Sequence, residues 1–240
     1  MLDVEKLLTE LKPEYFSIRV RTFLCVSGHR LPAVNVIMNS VIEAINSRCS
    51  VRSYEQKPVR KDIIKEIIEA GNQAPFTSMT RSQPWRFVVV ENKEFKQKLL
   101  QTTLPFWKNA IGGMKETAPE LYKMAMCIYE AMDEPKDPIY YNAPLIIFVI
   151  GAANNAVSCA LACENMMIAA TSLGLGSCYV GFGAMIKGNA EIVQALELTK
   201  DEGVYGPILI GYPKVNPSEA LASALENIGP NKKAPVTKWI

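Results

Sequence analysis

Two arginines flank a serine in the segment Arg48-Cys49-Ser50-Val51-Arg52. Each guanidinium presents a planar fork of N–H donors and the hydroxyl adds another, so this spacing suits a phosphate group. A solvated helix end is the alternative, because basic side chains near a helix C-terminus are favourable in any protein. Cys49 itself is predicted to be a small packed residue without a catalytic role.

A second polar stretch lies in the loop from Ala74 to Trp85, which is rich in Ser, Thr and Pro. The loop closes with Gln83-Pro84-Trp85 and leads directly into the segment Arg86–Val90, whose apolar residues are typical of a buried strand. Binding residues often lie on loops that follow or precede such rigid elements. Together with the arginine segment, this loop favours a ligand site over an unrelated surface feature.

The single histidine, His29, limits the chemistry available to the rest of the chain. No Ser-His-Asp or Cys-His arrangement and no histidine-based metal site can be assembled downstream of it. Cys159 and Cys163 lie four residues apart, but without further Cys or His nearby they are predicted to be buried small residues. We therefore expect no metal, and an enzyme of this sequence would take its reactivity from a cofactor.

Hydrophobic patterns predict the elements that hold these residues. Lys61–Ala70 has an apolar stripe of helical period, and Pro144–Ile150 is a continuous apolar run, which predicts a strand buried on both faces. Ala156–Leu173 predicts a helix with almost no polar face, at the centre of a domain or of a subunit interface. Lys93–Gln101 predicts an exposed helix, whereas Thr102–Asp137 has no clear pattern and is either core or a cover over the site.

Five motifs occur in an order that resembles the nitroreductase family of FMN-dependent oxidoreductases. They are the Arg48–Arg52 segment, Gln83-Pro84-Trp85, the helix Ala160–Ala170, the turn Leu173-Gly174-Leu175-Gly176-Ser177 and the strand end Gly211-Tyr212-Pro213. The resemblance extends from about Val41 to the C-terminus. It implies an α+β fold, a three-layer α/β/α sandwich with a mostly antiparallel central sheet. It also implies a homodimer with FMN at the interface, in which the Ala156–Leu173 helix packs against its mate.

The resemblance implies an enzyme, an NAD(P)H-dependent oxidoreductase of the nitroreductase type. NADH or NADPH would reduce bound FMN, leave, and be replaced in the same pocket by a nitroaromatic, a quinone or another flat acceptor, so ping-pong kinetics are expected. The resembling superfamily also includes flavin-dependent dehalogenases and ring-processing enzymes. A redox sensor with little turnover is a further alternative, although buried thiols at Cys159 and Cys163 would argue against it.

The same resemblance assigns contacts with the phosphate and the ring of FMN. Arg48 and Ser50, with Lys232 or Lys233 from the tail, would hold the phosphate. Arg52 would lie nearer the ring, where a cation beside N1/O2 favours the reduced anionic flavin.

Further FMN contacts follow from the later motifs. Gln83 would reach the ribityl chain or the ring edge, and a backbone N–H at Val180 or Gly181 would face the flavin N5. The remaining expected contacts are Cys49, Thr80, Arg81, Ser82 and Tyr179. Arg81 stands where the family has Asn, and Thr80 is the candidate substitute for that Asn.

Composition sets the remaining limits. The 240 residues carry 26 basic and 24 acidic side chains, a net charge of +2, so no broad field for nucleic acid is expected. No apolar run reaches the roughly 18–20 residues of a membrane span, and cysteines without CxxC pairs are typical of reduced cytosolic thiols. We expect a cytoplasmic protein with an N-terminal extension over residues 1–37 and an FMN-binding domain over residues 38–240.

Overall fold

A computed structural model describes residues 39–76, 82–214 and 238 of the chain. The chain divides into two compact units, residues 1–43 and residues 44–240, and only residues 39–43 of the first unit are described. The predictions made for residues 1–37, for Thr80 and Arg81, and for Lys232 and Lys233 lie outside the described residues.

Helices and strands follow one another along the described ranges. The helices α1 to α6 are Ser40–Ser47, Lys61–Asn72, Lys93–Thr117, Pro119–Glu130, Ala156–Ser172 and Ala190–Ala195. The strands β1 to β4 are Trp85–Val90, Leu145–Ala152, Gly176–Tyr179 and Glu202–Gly211. Short 3-10 helices cover Ala153–Asn155 and Phe182–Ala184. None of the helices in these ranges combines the length and the apolar character needed to cross a membrane.

The described strands form one sheet in the order β1-β2-β4-β3, and every neighbouring pair is antiparallel. The two central strands, β2 and β4, place Ile147 opposite Ile208. Strands β1 and β2 confirm the predictions for Arg86–Val90 and Pro144–Ile150, with bounds shifted by one or two residues. The sheet is therefore antiparallel, as the resemblance implies.

Side chains of β2 alternate between two apolar cores, one on each face of the sheet. Phe148 and its neighbours two residues away pack with residues of α3, whereas Ile147 and its neighbours two residues away pack with α2 and α5. This alternation is the period-two geometry of a strand, and full burial of one such side chain contributes about 1.5–3 kcal/mol. Helices thus cover both faces, which confirms the α+β, three-layer α/β/α sandwich.

Helix α5 carries the two cysteines predicted to be buried, and both are buried in the structure. Burial raises the pKa of Cys159 to about 11 and that of Cys163 to about 12. A thiol with a raised pKa is rarely the reactive thiolate at neutral pH. These two cysteines therefore give no support to the redox-sensor alternative.

Helix α3 continues well past its predicted end at Gln101, although Pro105 lies inside it. A proline removes one N–H from the helix and usually bends it. Leu99 and Trp107 nevertheless pack on the core on either side of the proline, and their burial holds the helix together. Tyr129 on α4 rests against Trp107 with ring centroids 5.3 Å apart. Part of the region without a clear pattern is therefore core, and a covering role stays a prediction.

Candidate cofactor site

The segment that follows α1 lies along the outer edge of strand β3. Ser50 forms a parallel bridge with Ser177, and the Val51 N–H donates to the Ser177 carbonyl at 2.9 Å. A second, antiparallel bridge joins Tyr54 to Pro213, just beyond β4. The two bridges fix the backbone between them, so the side chains of this segment have defined places beside β3.

Two glycines at the start of β3 have separate structural reasons, a left-handed turn at Gly174 and the close approach of Val51 at Gly176. Gly174 has a φ of 76°, in the left-handed region that glycine adopts without steric cost. A Cβ on Gly176 would lie 2.6 Å from Val51 Cγ2. Both glycines of the Leu173–Ser177 turn therefore have a structural reason.

The segment that carries the predicted phosphate residues is bridged to β3 at Ser177, next to the buried Cys178. Burial raises the pKa of the Cys178 thiol, whereas Arg52, the Ser50 hydroxyl and Arg48 each act to lower it. Arg48, Ser50 and Arg52 thus lie on one short segment beside β3, with Arg52 hydrogen-bonded to the Ser50 carbonyl, and their contact with a phosphate stays a prediction. Cys49 is exposed rather than packed, because the segment contacts β3 through Val51.

Each guanidinium has its own protein partner. Arg48 Nε lies 3.6 Å from Glu164 Oε1 on α5, and both side chains are partly exposed, 30% for Arg48 and 47% for Glu164. Arg52 donates from Nη1 to the Ser50 carbonyl at 3.3 Å, and its Cζ lies 5.9 Å from the centroid of the Tyr141 ring. A guanidinium has five N–H donors, so both arginines retain donors for an anionic ligand.

The chain beyond β3 exposes a backbone donor. The Val180 N–H donates to the Pro207 carbonyl at 3.0 Å and is therefore bound within the fold. Gly181 is exposed, and across the described residues its N–H meets no backbone acceptor. A Cβ on Gly181 would touch nothing within 4 Å. Tyr179 is also exposed at the end of the strand.

The loop before β1 is anchored to the end of helix α2. Gln83 Nε2 donates to the Asn72 carbonyl at 2.8 Å, and Trp85 Nε1 lies 3.4 Å from Asn72 Oδ1. Gln83 and Ser82 are exposed. No hydrogen bond between described residues links Gln83 to Arg48, and the contact of Gln83 with FMN stays a prediction.

Sequence reasoning missed two residues that contact the candidate site, Glu164 and Tyr141. Glu164 had a usable signal, because it is one of the few polar residues in the otherwise apolar helix α5. Tyr141 had none, since its approach to Arg52 depends on a turn that no spacing pattern announces.

The chemistry of the donor set fits a cofactor that carries a phosphate. Two guanidinium groups and a hydroxyl supply charged and neutral donors beside β3, and the Gly181 N–H adds a backbone donor beyond the strand. In the described ranges, no three His, Cys, Asp or Glu side chains are grouped so that they could hold a metal ion.

Solved structures define the class of the fold. The chain superposes on a nitroreductase with bound FMN from Bacteroides fragilis NCTC 9343 with a TM-score of 0.56 and 26% identity, over 84% of this chain and 96% of that one. It also matches a nitroreductase from Desulfitobacterium hafniense DCB-2 with a TM-score of 0.59 and 24% identity, over 74% and 91% of the two chains. The second match bears on the fold alone. The protein thus has the nitroreductase fold.

Sequence comparison then names the family. The model of the Nitroreductase family matches residues 45–212, and the chain belongs to this family. It is 28% identical over 179 residues to an FMN reductase (NAD(P)H) of Bacillus subtilis, covering 73% of this chain and 67% of that protein. It is 27% identical over 180 residues to an NADPH-flavin oxidoreductase of Vibrio harveyi, covering 75% and 68%.

Proposed function

We propose that this protein is an FMN-dependent oxidoreductase that takes electrons from NADH or NADPH and passes them to a nitroaromatic, a quinone or another flat acceptor. The observation that carries the proposal is the place of Arg48, Ser50 and Arg52 on one short segment that is bridged to β3, in a family whose members include FMN and flavin reductases. FMN, when bound, would accept a hydride from the nucleotide and supply electrons to the acceptor.

The protein's part is to bind, orient and tune the cofactor. In this proposal Arg48 and Ser50 bind the phosphate, with Lys232 or Lys233. Charge-assisted hydrogen bonds of this kind are shorter and stronger than neutral ones. Arg52 lies nearer the ring, where its positive charge stabilises negative charge on the N1/O2 edge. Other proposed FMN contacts are Cys49, Thr80, Arg81, Ser82, Gln83 and Tyr179.

Gly181 is the backbone donor that we assign to the flavin N5. The sequence offers Val180 and Gly181 equally, but the Val180 N–H already donates to Pro207. Gly181 is exposed, and the absence of a Cβ keeps the approach to its backbone open. A flat ring can therefore come close to this backbone without displacing a side chain.

A second copy of the chain is the proposed occupant of the outer face of α5. Val157 and Leu161 are 75% and 40% exposed, and with Glu164 they follow the i, i+4, i+7 spacing of one helix face. Because Glu164 faces Arg48, this apolar face borders the candidate phosphate site. The arrangement supports a homodimer with FMN at its interface. Sedimentation at several protein concentrations tests it, and a monomer at micromolar concentration would contradict it.

The domain and location predictions stay as proposals. They place an extension over residues 1–37 ahead of an FMN-binding domain over residues 38–240, in the cytoplasm. The family match begins at residue 45, which agrees with a domain that starts after the extension.

A visible absorption spectrum of the purified protein tests the function directly. Flavin bands that bleach when NADH or NADPH is added without air, and return when a quinone or a nitroaromatic follows, are expected. Initial rates at varied nucleotide and acceptor should give the parallel lines of a ping-pong mechanism. Persistent flavin bands would require another electron donor, and a colourless protein that cannot be loaded with FMN would contradict the proposal.

A further inference from the structure

The turn before strand β2 contains two consecutive left-handed residues that are not glycine. Tyr141 has a φ of 51° and Asn142 a φ of 50°. Asparagine tolerates this region, but tyrosine rarely adopts it, and such a residue persists only where its surroundings determine it strongly. The cost is on the order of 1–3 kcal/mol. Something must therefore hold the backbone at Tyr141.

The carboxylate of Asp137 holds this turn from inside the protein. Asp137 is only 5% exposed. Its Oδ1 accepts the N–H groups of Ile139 at 3.1 Å and Tyr140 at 2.7 Å, and its Oδ2 accepts the N–H of Asn142 at 3.0 Å. One side chain thus satisfies backbone donors before and after Tyr141, which fixes the conformation between them.

Further hydrogen bonds tie the turn to two neighbouring parts of the fold. Lys96 on α3 donates to the Ala143 and Pro144 carbonyls at 2.8 and 2.9 Å. The Tyr140 hydroxyl donates to the Gly183 carbonyl at 3.1 Å, two residues after the exposed Gly181. The turn is therefore anchored to the core and reaches the stretch that carries the proposed N5 donor.

The same turn contacts Arg52, at the end of the arginine segment, and Gln56, four residues further on. Gln56 Nε2 donates to the Asn142 carbonyl at 2.9 Å, and the Tyr141 ring lies 5.9 Å from Arg52 Cζ. An aromatic ring attracts a guanidinium without neutralising it, in contrast to a carboxylate. The Tyr141 ring can therefore hold the Arg52 guanidinium in a fixed direction and leave its positive charge undiminished.

We propose that Asp137 and Tyr141 are positioning residues for Arg52. The Asp137 carboxylate holds the left-handed turn, the turn presents the Tyr141 ring to the guanidinium, and the ring aims Arg52 at the flavin with its charge intact. The inference rests on the proposed function, because it takes Arg52 to be the cation beside the flavin ring.

The midpoint potential of bound FMN is the measurement that tests this chain of contacts. A cation beside the ring binds the reduced form more tightly than the oxidised form. Tyr141→Leu and Asp137→Asn are each expected to lower the ratio of the affinities for reduced and oxidised FMN about tenfold. This change equals a shift of the midpoint potential by about 30 mV to more negative values. Asp133→Asn is the matched control: Asp133 is an exposed carboxylate that pairs with Lys214, and its removal should leave the potential unchanged.

A double-mutant cycle with Arg52→Ala separates positioning from general disturbance of the fold. If Tyr141 acts through Arg52, Tyr141→Leu shifts the potential in the wild-type background and adds nothing in the Arg52→Ala background, at saturating FMN. An equal shift in both backgrounds, or none in either, would overturn the inference. Where circular dichroism shows that Asp137→Asn does not fold, the Tyr141 cycle decides.

The two proposals fail in different ways. A wild-type protein that takes up no FMN would overturn the proposed function and this inference with it. A wild-type protein that binds FMN and is reduced by NADH or NADPH, but whose potential is the same with Leu at position 141, would leave the function standing and overturn the positioning role alone.

Discussion

The two arginines of the Arg48–Arg52 segment share one short stretch of chain but not an environment. Arg48 faces the carboxylate of Glu164 at 3.6 Å, so part of its charge is balanced within the protein. Arg52 is held by the Ser50 carbonyl and the Tyr141 ring, which are both neutral. Arg48 is therefore suited to exchange one anion for another, whereas Arg52 keeps its full charge in a fixed place.

This difference supports two separate roles, a phosphate contact for Arg48 and a ring contact for Arg52. Exchange of the Glu164 carboxylate for a phosphate conserves the charge balance around Arg48, so binding there demands little rearrangement. Arg52 has neutral partners, so its whole charge can act on the N1/O2 edge of the ring. The flavin-binding predictions below test this division of roles, beginning with the largest expected effect.

Arg48→Ala should weaken FMN binding much more than riboflavin binding. A hydrogen bond to a charged group is worth about 1.5–3 kcal/mol, so the Kd for FMN should rise about 10–150-fold. Riboflavin lacks the phosphate, so its Kd should change little. Quenching of flavin fluorescence during titration measures both constants.

Arg52→Ala is the matched variant for this experiment. It should affect FMN and riboflavin alike, because both carry the ring. The division of roles would be wrong if Arg48→Ala weakened the two ligands equally, or if Arg52→Ala weakened FMN alone.

A second guanidinium–carboxylate pair shows what a closer geometry should contribute to stability. Arg86 on β1 binds Glu202 on β4 through two hydrogen bonds of 2.9 and 3.0 Å. The Arg86 hydrogen bonds lower the pKa of Glu202 from 4.5 to about 2. Glu202→Gln should reduce the free energy of unfolding by about 1.5–3 kcal/mol at pH 7. Glu164→Gln, which breaks a longer and more exposed pair, should cost less than about 1 kcal/mol.

The pH dependence of unfolding checks the Glu202 assignment. A carboxyl whose folded-state pKa is lowered stabilises the fold fully above its unfolded pKa and loses that contribution as the pH falls through the folded pKa. The Glu202 contribution should therefore be complete above pH 4.5 and disappear toward pH 2. Urea denaturation of wild type and Glu202→Gln at pH 7 and pH 3 should show the difference between them shrinking. A constant difference would contradict the assignment.

The fold could be predicted where its pattern is local. The continuous apolar run at Pro144–Ile150 reports burial on both faces of β2, and the stripe of Lys61–Ala70 reports one buried face of α2. Helix α3 could not be predicted in full, because Pro105 locally disfavours a helix. Its continuation depends on core packing by Trp107, which is a tertiary effect.

In the candidate site, too, residues close in sequence could be predicted, whereas contacts between distant parts of the chain could not. Arg48, Ser50 and Arg52 are close in sequence, so their spacing announces them. Tyr141 reaches Arg52 only because Asp137 folds the intervening turn back on itself, and this depends on hydrogen bonds to backbone groups that any residue type would supply. The environment that distinguishes the two arginines is therefore the part that the sequence does not reveal.

Gly181→Pro tests the proposed contact between the Gly181 N–H and the flavin ring. Gly181 has a φ of −63°, which a proline ring accepts, so the substitution removes the N–H with little change in the backbone. Loss of one hydrogen bond, about 0.5–1.5 kcal/mol, should weaken FMN and riboflavin alike by about 2–12-fold. Gly181→Ala keeps the N–H and places its Cβ in open space, so it should bind both flavins nearly as wild type does. Equal losses in the two variants would exclude this N–H as a flavin contact.

Glu164→Gln should have the smallest effect and the opposite sign. The substitution removes the anion that competes with a phosphate for Arg48, so FMN should bind more tightly. Partly exposed pairs are worth about 0.2–1 kcal/mol, which corresponds to about a 1.4–5-fold lower Kd. The gain should shrink as salt is raised, because salt screens exposed charges, and riboflavin should show no gain.

A weaker affinity for FMN in Glu164→Gln would reverse the interpretation of the Arg48–Glu164 pair. Glu164 would then orient Arg48 toward the phosphate rather than compete with it. Glu164→Asp distinguishes the two cases, because it keeps the charge but shortens the side chain. If Glu164 orients Arg48, Glu164→Asp should bind FMN more weakly, because the shorter side chain no longer holds the guanidinium in place. A competing carboxylate should give tighter FMN binding, because the same shortening leaves more of the charge on Arg48 for the phosphate.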